Sequence, residues 1–376
     1  MHILQIYKDY YPVLGGIENH IRDLSMALAQ RGHRVTVLVT SLDRKTQVEH
    51  PHPGVSVLKV ARLLHAASTP ISPAMLAYAR ALRPELVHLH FPFPPGDLVA
   101  QAVPGRPPLV VTYHSDIVRQ RGLLRLYRPL QAYTLRRATR IIATSPAYVA
   151  SSEVLRQYAA KCAIVPLGID IARFTAAPRR PTPDTKSPPT ILFVGRLRYY
   201  KGLHVLLDAM PQIAARLLIA GTGPEQERLL AQAAQLGLSS RVEFLGDVAD
   251  AELPALYRRA DVFVLPAQLR AEALGLSQIE AMASGVPCVC TELGTGTSYA
   301  NQHGVTGLVV PPGDTGALAA AINLLLADPA LRLRYGTAAR ERATALFSRD
   351  RMVGAIEQVY AEALGHGLAA RSPRSQ

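Results

Sequence analysis

Thirteen residues, Ala177 to Pro189 (APRRPTPDTKSPP), constrain the fold of this chain more than any others: five are proline and none is a large apolar residue. Proline lacks a backbone donor and fixes φ, so such a run belongs inside neither a helix nor a sheet and reads as a linker. On each side of it the same alternation begins afresh. Before it, His2 to Ile6 reads as a strand, Tyr7 to Gly16 as a glycine-bearing loop, Ile17 to Arg31 as an amphipathic helix, and RGHRVTVLVT as a turn into a second strand. Strand, loop, helix, strand is the opening of a doubly wound parallel sheet. Further short strands are expected at Val55 to Val60, Leu86 to His90, Leu109 to Thr112, Ile141 to Thr144 and Ala163 to Pro166, with helices near Ser72 to Leu82, Gly122 to Ala138 and Ala147 to Tyr158.

After the linker the strands are expected at Thr190 to Val194, Leu217 to Ala220, Val242 to Leu245, Val262 to Leu265 and Val286 to Cys290, and in the run GLVV near residue 308. Helices are expected near His204 to Met210, Glu225 to Leu236, Asp250 to Arg259, Asp314 to Ala327 and beyond Pro329. A chain of 376 residues exceeds the size at which one core keeps growing, so two domains are the natural division. The expected division is an α/β domain over 1–176, the linker 177–189 and a second α/β domain over 190–376, with the C-terminal helix packing back on the first. Open sheets of this kind bind ligands outside the carboxyl ends of their strands. A site in a cleft between the two domains is the corresponding expectation.

Charge separates the halves. Residues 1–180 hold 23 Lys and Arg against 10 Asp and Glu, whereas 181–376 hold 18 of each, so the net +13 lies entirely in the first half. Nucleic acid, an anionic membrane face or an acidic substrate would each suit that excess. No apolar run approaches the roughly 20 residues of a membrane span, and the opening residues do not form a signal peptide, so a cytoplasmic protein is expected. Cys162, Cys288 and Cys290 make no disulfide framework and read as core residues.

One stretch, Ala271 to Thr291, has the composition of a helix buried nearly all round. Between Glu272 and Glu292 its single charged residue is Glu280, set among Leu276, Ile279, Met282 and Ala283. Burying a carboxylate costs several kcal/mol, on the order of what only a hydrogen-bonding partner offsets. A pair of ligand hydroxyls or a core Arg or Lys would serve.

Five pieces of sequence, in order, resemble the family 4 retaining glycosyltransferases of GT-B architecture: GGIENHI at 15–21, TYHSDI at 112–117, VPLGID at 165–170, VGRLRYYKG at 194–202, and the pair Glu272 and Glu280 with seven residues between them. The resemblance spans most of the chain and departs at Ala273 and Leu274, where the family usually has Gly-Phe. It implies two Rossmann-like doubly wound domains and transfer of a sugar from a nucleotide diphosphate donor with retained anomeric configuration. Overall likeness to mannosyl- and rhamnosyl-type members suggests GDP-mannose or a related GDP-sugar; a UDP-sugar is the alternative.

The same resemblance distributes roles. Arg196 and Lys201, after Gly195, would hold the diphosphate; as cations they suit it, Arg bidentately and Lys as a point charge. Gly15 and Gly16 open a helix, where backbone and N–H groups can approach a phosphate, or they form only a tight turn. Gly275, Leu276 and Ser277 open the buried helix and would offer N–H groups likewise. Glu280 would hold the donor ribose, Glu272 the transferred sugar, and backbone groups at Gly246 to Val248 the base. His114, at the carboxyl end of its strand, would contact the donor sugar in the transition state. Asp116 would orient His114 or bind the acceptor, while His88, His90 and His303 read as structural. There is no Asp-x-Asp, and no His or carboxylate cluster at metal-ligand spacing. Neither metal nor cofactor is expected, and front-face transfer without a metal is the mechanism implied.

Seven arginines between Arg119 and Arg140 alternate with Leu123, Leu124, Leu126, Tyr127, Leu130 and Tyr133. This is either a solvated helix face or a basic amphipathic one suited to an anionic membrane. The membrane reading goes with a lipid-linked saccharide acceptor in bacterial surface polysaccharide synthesis and a peripheral place on the inner face of the cytoplasmic membrane. A nucleotide-sugar 2-epimerase of the same architecture is a rival. A nucleic-acid binder is a remote one, since the chain has no tryptophan and no recognition motif; no nucleic-acid partner is expected.

Overall fold

The computed structural model describes residues 1–13, 15–66, 69–117, 121–175 and 188–365. The linker lies outside the described residues except for Pro188 and Pro189, and so does Arg119. The chain forms two compact units. The first comprises Met1–Thr144, Ser152–Val165 and the chain from Met352; the second comprises Ser145–Ser151 and Pro166–Arg351.

In the first unit the strands are β1 (His2–Ile6), β2 (Arg34–Thr40), β3 (Gln47–His52), β4 (Val55–Val60), a small pair β5 (Leu64–Ala66) and β6 (Thr69–Ile71), then β7 (Leu86–Phe91), β8 (Leu109–Tyr113), β9 (Arg140–Ala143) and β10 (Cys162–Ile164). Eight of them make one sheet in the order β10-β9-β8-β7-β1-β2-β4-β3. The pairs from β10 through β4 are parallel, which is why HILQI and LVHLHF are buried at every position: helices cover both faces of such a sheet. The sheet is not wholly parallel, however. β3 returns antiparallel to β4 at the edge, with an irregularity between Glu49 and His52. Its sequence, QVEHPH, lacks apolar alternation because an edge strand is half solvated, and Pro51 is tolerated there for the same reason.

Two helical segments differ from those expected. Pro94–Ala102 is a helix not among them; proline fits its first turn, where an N–H would have no partner in any case. The helix expected over Ala147 to Tyr158 is broken into Pro146–Ser151 and a 3₁₀ segment Leu155–Lys161. Ser152 sits at the break, its hydroxyl accepting from the Leu155 N–H and donating to Asp116.

The second unit holds β11 (Thr190–Val194), β12 (Arg216–Ala220), β13 (Val242–Gly246), β14 (Val262–Leu265), β15 (Cys288–Thr291) and β16 (Gly307–Val310), all parallel, in the order β13-β12-β11-β14-β15-β16. β15 begins two residues later than its apolar run suggests, since Gly285 (φ +75) ends the preceding helix and Pro287 joins the sheet through its carbonyl. Cys288 and Cys290 are buried in this strand; Cys162 is only half-buried, at the sheet edge. Among the described residues no single helix is long and apolar enough to cross a membrane.

The helix Arg349–Ala363 runs into the first unit from Met352 onward. Glu357 pairs with Arg31 at 2.6 Å and with His33 at 2.8 Å, Glu362 with Arg140 at 3.0 Å, and Tyr360 hydrogen-bonds buried His88 Nδ1 at 2.7 Å. His88 Nε2 meets Thr112 Oγ1 at 2.7 Å, so both ring nitrogens are satisfied only with this helix in place. Removing one partner of a buried hydrogen bond costs roughly 1–3 kcal/mol. Tyr360→Phe should lower the denaturation free energy of the first unit by about that much while leaving the cooperativity of unfolding unchanged, as read in urea titrations.

Candidate functional site

Residues expected to carry chemistry fall in two sets, one per unit. In the first unit, β1, β7 and β8 run side by side, and their carboxyl ends present Gln5, His90 and His114. His88 and His90 are two apart on β7 and so share a sheet face, their ring centroids 4.3 Å apart. His20, from the helix Gly16–Gln30 that follows β1, faces both His90 and His114 edge-on at 5.7 and 5.5 Å.

Hydrogen bonds order this group. Ser25 donates to Ile21 O at 2.6 Å, so toward Gln5 it can only accept, and the Gln5 amide nitrogen donates to it at 3.2 Å. Gln5 Oε1 is then left to accept, from His90 Nε2 at 3.1 Å. Burial, aided by the neighbouring histidines, holds His90 and His114 well below the usual histidine range, so both are neutral. A neutral His90 that donates at Nε2 must accept at Nδ1, which lies 3.0 Å from His114 Nε2. His114 therefore carries its proton on Nε2, and its buried Nδ1 is a bare acceptor without a partner. Burial also lowers His20 to about 4 and His88 to about 3. His114 takes its orientation from His90. Asp116 Oδ1 instead accepts from the hydroxyls of Tyr113 and Ser152, each at 2.9 Å.

Gly15 is the N-cap of the Gly16–Gln30 helix, in extended conformation. The need for glycine there is spatial: a Cβ would lie 2.2 Å from the carboxylate of Glu18. Glu18 is buried and acidic in the first helical turn, so a negative group already complements this helix end.

In the second unit, the loop after β11 carries Gly195, Arg196 and a 3₁₀ turn Tyr199–Lys201. The turn is held by Gly202, at φ +71, where a Cβ would strike Pro266 O at 1.8 Å. Lys201 reaches back beneath Gly195, its Nζ 3.7 Å from where a Gly195 Cβ would be. It is 12 % exposed and pairs with Glu272 Oε2. Burial works against its charge, yet the Glu272 carboxylate outweighs that and holds Lys201 above the usual lysine range. Arg196 is exposed and has no side-chain partner among the described residues. Val248 is half-buried beyond β13, after Gly246, whose carbonyl accepts from Gly221 N–H at 2.6 Å.

Gly275 caps the helix Leu276–Ala283 in the left-handed region (φ +83), and a Cβ would meet Leu265 Cδ2 at 2.5 Å. Its carbonyl accepts from Gln278 and Ile279, which leaves the N–H groups of Leu276 and Ser277 outside the helical ladder as free donors. Glu280 lies one turn further on. Its partner is neither an arginine nor a lysine: Tyr257 Oη donates to its Oε2 at 2.7 Å. Burial pushes the Glu280 carboxyl up to about 7, against the Tyr257 hydrogen bond and the Arg173 charge, which lower it.

Tyr257, His20, Gln5 and the ordering role of His90 were not foreseen. The alternation LVHLHF did place His88 and His90 on one face, which is the only local signal for them. Nothing near Tyr257 in sequence marks it as the partner of a residue 23 positions away.

Residues 14–173 match the family described as Glycosyltransferase Family 4, and 176–342 the family described as Glycosyl transferases group 1. The chain is 42% identical over 366 residues to the D-rhamnosyltransferase WbpZ of Pseudomonas aeruginosa, a match covering 93% of this chain and 92% of that one. It is 37% identical over 366 residues to the O-antigen chain mannosyltransferase C of Escherichia coli, covering 96% and 98%. Among solved structures it is similar to sucrose-phosphate synthase of Thermosynechococcus elongatus, with a TM-score of 0.82, 26% identity, and coverage of 97% and 100%.

The Glu280 environment has a pH consequence. Its folded-state pKa is raised, so its contribution to stability is full below the ordinary carboxylate pKa near 4.5 and is lost as pH rises toward about 7. The difference corresponds to about 3–4 kcal/mol. Glu280→Gln, which keeps an acceptor for Tyr257, should match the wild type in thermal melts near pH 4.5 and exceed it by several degrees at pH 8.

Proposed function

The chain belongs to the family 4 glycosyltransferases of GT-B architecture, and on that premise we propose that it moves a hexose from a nucleotide diphosphate sugar to a saccharide acceptor with retention of configuration. The observation that carries the reading is the cationic, donor-rich end of the second unit: exposed Arg196, the Lys201–Glu272 pair and the free N–H groups of Leu276 and Ser277. A nucleoside diphosphate leaving group gains negative charge as its bond to the sugar breaks, and such groups stabilise it without reorganising. Lys201 supplies the point charge and Arg196 a fork for two phosphate oxygens. Glu280 and Glu272 accept from ribose and sugar hydroxyls. His114 Nδ1, unable to donate, accepts from a hydroxyl of the transferred sugar.

In this reading no metal takes part in catalysis, because side-chain cations and helix donors carry the phosphate charge. The acceptor hydroxyl attacks C1 on the face from which the phosphate departs; the C1–O phosphate bond breaks as the new glycosidic bond forms, and a phosphate oxygen takes the hydroxyl proton. The relatives named for D-rhamnosyl and mannosyl transfer both handle manno-configured sugars, which supports GDP-mannose or a GDP-linked 6-deoxy sugar as the donor. The name O-antigen chain mannosyltransferase supports surface polysaccharide synthesis on a lipid-linked acceptor. Incubation with GDP- and UDP-hexoses and a synthetic lipid-linked acceptor should give a product whose anomeric NMR coupling matches the donor. Inversion, or epimerised donor formed without acceptor, would sink the reading. Lys201→Ala should lower kcat/KM by about 100-fold or more.

Peripheral membrane binding is part of the same proposal. On the helix Arg121–Arg137, Arg125, Arg128 and Arg136 are exposed beside Leu126 (82 % exposed) and Tyr133 (44 % exposed). Arg137 and Arg140 do not belong to that face: Arg137 donates to Ala100 O, Gln101 and Pro107 O, and Arg140 pairs with Glu362. The remaining basic-apolar stripe suits anionic lipid at roughly 1 kcal/mol per arginine. Co-sedimentation with phosphatidylglycerol vesicles at low salt should be strong in the wild type and reduced several-fold in an Arg125→Glu, Arg128→Glu variant.

A further inference from the structure

His20, His90 and His114 are 70 and 24 residues apart in sequence, yet one ring nitrogen from each lies within 4.8 Å of the others. We propose that these three histidines form a binding site for a borderline divalent transition metal of the Zn²⁺ type, and that its occupancy withdraws His114 from the transfer reaction. The second half rests on the role given to His114 above; the first half does not.

Three observations support the site. His90 Nδ1 and His114 Nε2 already face one another at 3.0 Å, close to the roughly 3.3 Å separating two imidazole nitrogens on a tetrahedral zinc with Zn–N near 2.0–2.1 Å. A metal there takes the place of the single proton between the two rings. His114 keeps that proton by moving it to Nδ1, so the histidines coordinate as neutral imidazoles and the ion's positive charge falls to the ligand in the fourth position to offset. Secondly, His20 Nε2 is buried and unpartnered beside the pair. An orphaned buried nitrogen is unfavourable, and coordination satisfies it. Thirdly, the second shell exists: His90 Nε2 donates to Gln5 Oε1, and Gln5 is itself held by Ser25. A ligating imidazole usually donates its other N–H in this way, which fixes the tautomer and the ring plane. Nitrogen donors without thiolate or carboxylate select late first-row ions over Mg²⁺ or Ca²⁺.

Three protein ligands leave a fourth position for water or a substrate oxygen, the arrangement of an open rather than a structural site. The cluster lies at the carboxyl edge of the sheet, where His90 is the penultimate residue of β7 and His114 the first beyond β8.

The test is titration of the untagged full chain with ZnCl₂ and, separately, CoCl₂. One equivalent should bind with micromolar or tighter affinity, and bound Co²⁺ should show the intense visible band of tetrahedral coordination. His20→Asn, chosen because it leaves the His90–His114 pair intact, and His90→Gln should each weaken binding at least tenfold while melting as cooperatively as the wild type. His303→Ala, on the second unit, should leave binding unchanged. Zn²⁺ should inhibit sugar transfer over the same concentration range, reversibly on adding EDTA. Absence of stoichiometric binding, binding unaltered in folded His20→Asn, or an octahedral Co²⁺ spectrum overturns the site. Stoichiometric binding without inhibition upholds the site and overturns its inhibitory half, and with it the place of His114 in the reaction. If Mg²⁺ competes equally with Zn²⁺, the nitrogen-donor assignment is wrong.

Discussion

Parallel strands cannot be joined by a tight turn, because each must be followed by a crossover that returns the chain to the starting edge. That constraint decides where this protein places its reactive groups. In both sheets the carboxyl end of a strand is where the chain leaves the ladder, and the first residues beyond it are free to take conformations the ladder forbids. Gly15 and His20 follow β1, His114 follows β8, Gly195 and Lys201 follow β11, and Glu272 follows β14. The strands supply position and the departing loops supply chemistry. Where the loop must approach a neighbouring strand's end closely, glycine is required, as at Gly202 against Pro266 O and Gly275 against the side chain of Leu265.

Burial then determines the state of the groups so placed. Four neighbouring histidines in the first unit are all kept neutral by desolvation, which turns them from cations into donors and acceptors with definite polarity. In the second unit the balance differs: Lys201 stays charged in a site just as dry because Glu272 faces it. Glu280, given a phenol in place of a cation, remains close to half-protonated at neutral pH. Three buried titratable environments thus give three electrostatic outcomes, and the identity of one partner separates them.

Much of this organisation was legible beforehand. Strands such as His2–Ile6, Thr190–Val194 and Val262–Leu265 coincide with their expected runs end to end, because a strand buried on both faces admits little else. The edge strand Gln47–His52 escaped notice for the opposite reason, being half in water and free to be polar. At the site, Glu280 announced itself as a charge in an apolar helix, but its partner did not, since a tyrosine in a helix is unremarkable until the fold brings the two together. The histidine cluster was hidden in the same way: spacing along the chain finds ligands on one element, whereas these come from a helix, a strand and a loop.

The division of the first unit also bears on the order in which the protein is made. Its sheet is encoded within the first 165 residues, but the helix that satisfies His88 lies after the whole of the second unit in sequence. During synthesis from the amino end, the second unit has all its strands before Tyr360 emerges, so the first sheet waits with the His88 Nδ1 partner and the Glu362 carboxylate that meets Arg140 still to come. The first unit to begin is therefore the last to be finished, and a chain stopped at the end of the second unit yields one complete body and one that is still open.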